Sequence, residues 1–325
     1  MKIIFKKNLE KYFLGGVILA TLIVFPVKIL AYQIEKVNLA GTPSGDFVLG
    51  PGKIELQMDS GEKATKVIFI TNRIAGEMNF KIATEDFKGS HDMENTVILL
   101  GEEKGPYSLK DCLKPEVSEF TLKYGEKITI PVEISIPKNA EPGGLYGSVI
   151  VETNPIADKQ QSGKEGVKIV SRIGALFFVK ISGNVIESAG LKDFRTNRFF
   201  YEKGPILFNI AMENKGSAHL VPYGIIEIKD MLGRVAGIVE ADPWFVMPDS
   251  IRTREIKWDG NWLFGRYGAS LKVNRGYQDI VDEKTIYFLV LPWKILAIAG
   301  AGIILAGAII FIVRRKSKIK NQNGK

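Results

Sequence analysis

One cysteine and two histidines in 325 residues remove several kinds of chemistry at the outset. Cys112 has no partner in the chain, so neither an intramolecular disulfide nor a cysteine-rich metal site can form. It reads as a small, partly apolar residue, since it lies mid-chain and outside any lipid-attachment motif. The histidines, His91 in Gly89-Ser90-His91-Asp92 and His219 in Ser217-Ala218-His219-Leu220, stand apart with no cysteine near, which disfavours a transition-metal site. Ser90, His91 and Asp92 are adjacent, whereas a catalytic triad needs side chains converging from separate segments. His91 therefore reads as part of a polar turn and His219 as a loop or strand-edge residue.

Phosphate-binding loops are lacking too. Gly143-Gly144-Leu145-Tyr146-Gly147 has no trailing Lys-Ser/Thr and opens no helix, so it serves a turn. No carboxylate pair is set apart by its spacing for acid–base work. Asp86, Asp92 and Glu94 would suit Ca²⁺ only if they gathered on one loop; a solvated loop is the plainer reading. The sequence predicts a protein that is not an enzyme and holds no cofactor and no metal.

A surplus of basic charge is present, but not where nucleic acid would need it. Of the net +8, the first 31 residues carry five lysines against one glutamate, Lys294 adds one, and the tail from Arg314 adds six, which leaves −3 for residues 32–293. The body of the chain is slightly acidic and has no basic stripe, so a nucleic-acid partner is not expected.

The long uncharged run is residues 295–313, nineteen in all, followed at once by Arg314, Arg315 and Lys316. At ~1.5 Å per residue such a run reaches across a bilayer core of about 30 Å. It predicts a transmembrane helix over 292–313, with a basic cytoplasmic tail over 314–325 and the rest of the chain outside the membrane. Trp293 and Lys294 stand where an interfacial aromatic and a snorkelling lysine mark the outer boundary. Residues 1–31 have the parts of a signal peptide: Lys2, Lys6, Lys7 and Lys11, an apolar run over 13–27, and a small residue, Ala31, at the expected cleavage point. Cleavage or retention of this segment stays open. Cleaved, the protein is single-pass type I in the cell membrane.

Between the ends the pattern is that of strands. Ile128, Ile130, Val132, Ile134 and Ile136 alternate with Lys127, Thr129, Pro131, Glu133 and Ser135, one face core and one face wet. Pro131 cannot donate to a ladder, which predicts this strand at a sheet edge. Short runs at Ile54-Leu56-Met58, Val67 to Ile70, Met78-Phe80-Ile82 and Val149 to Val151 are separated by turn signals such as Gly50-Pro51-Gly52 and Tyr124-Gly125-Glu126. A second set follows at Ile206-Phe208-Ile210-Met212, Ile225 to Ile228, Ile256 with Trp258, and Tyr267-Ala269-Leu271-Val273. The fold class predicted is all-β, two tandem immunoglobulin-like antiparallel β-sandwiches. The first spans 32–182 and the second 183–291. Polar residues 155–166 form a linker or a long hairpin loop, so the boundary lies between 155 and 183.

The halves echo one another. The strand ending in Asn72 resembles the strand ending in Asn214, and Leu145-Tyr146-Gly147-Ser148 resembles Arg266-Tyr267-Gly268-Ala269. Tyr146 and Tyr267 suit the structural role of a tyrosine that bonds back to a neighbouring turn. Phe199-Phe200-Tyr201 and Trp244-Phe245 lie near turn residues, and exposed aromatics on the loops of a sandwich are common anchors for partners.

Pro142-Gly143-Gly144-Leu145-Tyr146-Gly147-Ser148, the strand ending at Asn72, Glu213-Asn214-Lys215-Gly216, Tyr223 to Ile228 running into Asp230-Met231-Leu232-Gly233-Arg234, Pro248, Trp258 and Arg266-Tyr267-Gly268 give the chain a further likeness. With the order of its parts, they resemble the WxL-interacting protein family of bacterial cell surfaces, although Ser148 stands where that pattern has alanine. The resemblance implies a membrane-anchored surface protein whose first sandwich contacts peptidoglycan and whose second contacts other surface proteins. No site residues carry over. The function expected is non-enzymatic cell-wall or surface-protein binding. The alternative is an extracytoplasmic, chaperone-like assembly factor that lends a sheet edge, such as residues 127–136, to a client strand.

Overall fold

The structure, a computed structural model, describes residues 32–39, 42–90, 96–154, 170–260 and 263–322. The signal segment 1–31, the turn residues His91, Asp92 and Glu94, and the polar stretch 155–166 lie outside the described residues.

Alternating apolar positions build the first sandwich from β1 (Gln33–Lys36), β2 (Phe47–Gly50), β3 (Lys53–Met58), β4 (Lys63–Asn72), β5 (Glu77–Gly89), β6 (Val97–Leu99), β7 (Leu113–Pro115), β8 (Glu119–Lys123), β9 (Glu126–Ser135), β10 (Gly143–Asn154) and β11 (Arg172–Ile181). The second uses β12 (Ala189–Thr196), β13 (Phe200–Tyr201), β14 (Ile206–Asn214), β15 (Tyr223–Lys229), β16 (Val235–Ala241), β17 (Ser250–Trp258), β18 (Gly265–Asn274) and β19 (Val281–Val290). In the first, β1-β9-β4-β2 faces β3-β11-β10-β5-β6, with β7 beside β9 and β8 beside β5. In the second, β12-β14-β17 faces β13-β19-β18-β15-β16. Each sandwich closes over its own apolar core, Ile68, Phe80, Ile130 and Phe177 in one, Phe208, Ile226, Leu271 and Phe288 in the other.

The pairing is not wholly antiparallel. β3 runs parallel to β11, and β13 runs parallel to β19. The cause is the same in both halves. The first strand crosses between sheets, β2 pairing with β4 before β3 joins β11, and β12 pairing with β14 before β13 joins β19.

Pro131 departs from expectation. β9 is internal, with β4 on one side and β1 and β7 on the other, and Pro131 is buried. Register pairing with β1 ends at Thr129 and pairing with β7 begins at Val132, so the proline falls in the break between them. Its carbonyl accepts the Glu116 N–H at 3.0 Å on that same side, and the missing donor faces the gap. Residues 127–136 therefore offer no edge to a client strand.

β10 and β11 are antiparallel neighbours, with Glu152 opposite Arg172, so the residues between them join two strands of one sheet. After β19 comes α1 (Trp293–Gln322), 30 residues long. Its side chains are described for Trp293, Lys294, Ala297, Ile298 and residues 300–311. Among the described residues no helix is long and apolar enough to cross a membrane.

Candidate functional site

Where the sandwiches meet, small residues let backbone approach backbone. Gly143 opens β10 with φ +144°, and a Cβ there would lie 2.9 Å from the Ser217 carbonyl oxygen. Gly144 donates its N–H to that carbonyl at 2.8 Å. Gly89, at the end of β5, lies so near Ser250 that a Cβ would fall 2.4 Å from the serine Cβ. The glycine-rich run of the first half is thus the seam between sandwiches.

Tyr146 fills that seam. Its buried hydroxyl accepts the backbone N–H of His219 at 2.6 Å and lies 3.3 Å from the imidazole Nδ1. Phe87, Phe178 and Met247 pack around it, and the Phe178 ring meets those of Phe245 at 5.0 Å and His219 at 5.1 Å. Phe245 in turn lies under two cations, Lys53 Nζ at 4.9 Å and the Arg252 guanidinium at 4.1 Å.

These surroundings set the protonation. Burial pulls His219 down to about 4; Glu55, whose Oε1 is 3.5 Å from Nε2, pulls the other way, and Lys53 and Lys180 add to the burial. Burial also raises Tyr146 above the ordinary tyrosine range. Near neutral pH the seam holds a neutral imidazole against a neutral phenol, enclosed by aromatic rings. Such an arrangement locks two bodies together and is poorly suited to moving protons.

Tyr146 therefore bonds to a neighbouring loop that belongs to the second sandwich, the one carrying His219. Tyr267 bonds locally, its hydroxyl accepting the Phe264 N–H at 3.1 Å. Asp86 is committed to the 100–112 loop, its carboxylate accepting the N–H groups of Gly105, Leu109 and Lys110 at 2.8–3.0 Å. Asp92 and Glu94 lie outside the described residues. Among the described residues no group of histidine, cysteine, aspartate or glutamate is arranged to hold a metal ion.

The aromatic anchors divide. Phe199 and Phe200 are exposed, but Tyr201 alternates inward along β13 and packs on Phe288 at 6.0 Å. Trp244 is in the second core, because the loop carrying it is tied back by its own N–H to the Pro222 carbonyl and by the Leu220–Val246 bridge. Phe245 belongs to the seam. Tyr201, Trp244 and Phe245 are thus packing residues.

The sheet edges differ in how they are protected. Sheets protect long edges with charge, proline or a bulge, since an open ladder invites another chain. β12 carries Lys192, Asp193 and Arg195 and a register shift between Leu191 and Asp193. β17 carries Arg252, Arg254, Glu255 and Lys257, and β3 carries Lys53 and Glu55. β16, with sequence Val-Ala-Gly-Ile-Val-Glu-Ala, has no lysine, arginine or proline and, among the described residues, pairs only with β15; it carries one charge, Glu240, and a register shift that passes over Ala236. Its Ile238 is 62% exposed and its Val235 53%. Beside it, Tyr223, Ile225, Glu240, Pro243, Lys272 and Val281 line an open groove of about 480 Å³. Tyr223 and Ile225 are exposed on the outer face of the same sheet. Sequence reading missed β16, whose alanines and glycine give little strand signal.

No protein-family model matches the chain, and no curated protein matches it. Several solved structures are similar. The class 5 fimbriae chaperone CfaA is 15% identical, with a TM-score of 0.35 over 76% of this chain and 100% of that one. The Pseudomonas aeruginosa CupB2 chaperone is 9% identical, with a TM-score of 0.35 over 75% of this chain and 100% of that one. The E. coli chaperone DraB is 11% identical, with a TM-score of 0.33 over 74% of this chain and 95% of that one.

Proposed function

We propose that this chain is a non-enzymatic, membrane-anchored protein of the cell surface that receives an extended segment of a partner protein as an added strand on β16. The observation that carries the reading is the edge of Val235–Ala241, which lacks lysine, arginine and proline and leaves Val235 and Ile238 exposed. Main-chain bonds to the edge supply affinity, and the side chains of β16 meet those that alternate along the incoming strand. Ile238 presents apolar surface to that strand. The assembly-factor alternative uses the same edge, with a client's strand as the guest. Peptidoglycan binding by the first sandwich has only the family resemblance behind it.

The anchor reading is supported by the uncharged run 295–313 with its basic tail and by the exposure of Ile298, Ile303, Ile304 and Leu305 on α1. Export is supported by the signal features of residues 1–31.

Cross-linking tests the edge. A photo-reactive residue in place of Val235, on full-length protein in its native membrane, should join to an extended segment of one protein. Ile238→Lys should abolish that product, whereas a photo-reactive residue at Thr253 on guarded β17 should give none. Equal products from β16 and β17, or products indifferent to Ile238→Lys, would rule the reading out.

A further inference from the structure

The second sandwich has two opposite ends. One meets the first sandwich through Ser217, His219 and Met247. At the other, register places the loops after β12, β15 and β17 together with the end of β19: Ile206 is opposite Trp258, Lys229 opposite Gly268, and Gly265 opposite Val290. Backbone bonds tie them, Leu289 N–H to the Phe199 carbonyl at 2.8 Å and Leu291 N–H to that of Tyr201 at 2.9 Å. The Met231 side chain lies over Gly265, with its terminal methyl where a Cβ would stand.

This end is apolar where a sandwich in water is polar. Phe199 is 70% exposed, Leu232 71%, Met231 57%, Phe264 54% and Trp293 52%. They come from three separate loops and the start of α1, so no single strand pattern explains them. Loop tips of this kind, collected on one surface, mark an interaction site. Arg198, Lys203 and Arg266 are exposed at the same end, while Arg234 there is paired to Asp230 at 2.7 Å. The helix starts here as well, with only Leu291 and Pro292 between β19 and α1, and Lys294 paired to Glu202 at 2.9 Å.

We infer that this end of the second sandwich is a lipid-docking surface, with Phe199, Met231, Leu232 and Phe264 entering the interfacial layer of the bilayer and the basic side chains meeting its headgroups. The inference rests on the anchor reading, because a spanning α1 joined by two residues forces this end against the membrane. It goes beyond that reading in making the sandwich itself a membrane-binding body, held end-on and upright.

The test uses the full chain with Cys112→Ala, reconstituted in vesicles of neutral and anionic phospholipid, with one cysteine carrying a polarity-sensitive fluorophore. Labels replacing Leu232, Phe264, Ala306 in the helix, or Thr65 on the first sandwich are compared for quenching by nitroxides attached high on the acyl chains. Several-fold quenching is expected at 232, 264 and 306, with none at 65. Replacing both Met231 and Phe199 by aspartate should reduce the quenching at 264 and leave that at 306 unchanged. Quenching at 306 alone would overturn the docking and keep the anchor. Loss at 306 would overturn both. Shielding of 232 and 264 from water without lipid quenching would place a second copy on this surface and overturn the inference.

Discussion

The hydroxyl of Tyr146, in the first sandwich, accepts the backbone N–H of His219, in the second, at 2.6 Å, with the imidazole Nδ1 3.3 Å away. One phenol thus orients a loop of the neighbouring body and closes an aromatic seam over it. The seam makes the pair of sandwiches a single mount, and the binding edge of β16 is held on it.

Acid should loosen this mount. His219 lies well below its ordinary value of 6.5, at about 4, because burial disfavours the imidazolium. The unfolded chain therefore takes up the proton first, so the stability contributed by neutral His219 is complete above about pH 6.5 and is lost as pH falls towards 4. The thermal midpoint should drop between pH 7 and pH 5, and His219→Gln should flatten that drop. An equal drop in both proteins would assign the acid response to other groups.

Tyr146→Phe should cost about 1–3 kcal/mol in urea unfolding, since the part-buried His219 N–H loses its acceptor. Tyr267→Phe should cost less, because the Phe264 N–H it serves is in an exposed turn. A reversed order would contradict the division of roles between the two tyrosines.

Asn72 and Asn214 form a matched pair. Asn72 accepts the Ile74 N–H and donates to the Gly76 and Leu122 carbonyls; Asn214 accepts the Gly216 N–H and donates to those of Ala218 and Val246. Alanine at either buried position removes all three bonds of its turn and should cost roughly 2–4 kcal/mol. Calorimetry on the two single variants checks this, and a near-neutral result at either would show that the turn holds without its asparagine.

How far the sequence disclosed this follows from the range of each interaction. Alternation at Ile128, Ile130, Val132 and Ile134 revealed a core-facing strand because side-chain period is local, and the echo of Asn72 in Asn214 revealed a repeated turn. Pro131 misled, because a break between two neighbouring strands, β1 and β7, tolerates a proline as well as an edge does. Trp244 and Tyr201 misled in the opposite sense: next to turns in sequence, they are turned inward by bonds to distant segments. The seam itself depends on Tyr146 and His219, 73 positions apart, and no local pattern carries it.

Ile238→Lys is expected to leave stability within about 0.5 kcal/mol of the parent, since the side chain is exposed, while giving β16 the lysine guard it lacks. Retained folding with lost partner binding is the outcome that fits an edge-mediated site. Loss of folding would assign Ile238 to the structure.

Amide hydrogen exchange on the full chain in lipid nanodiscs, with and without the segment identified by cross-linking, addresses strand addition most directly. Strand addition at β16 slows exchange along Val235–Ala241 on binding and leaves the seam and the first sandwich unchanged. Unchanged exchange in Val235–Ala241 together with protection of the first sandwich, whether by that segment or by purified cell-wall sacculi, would contradict it.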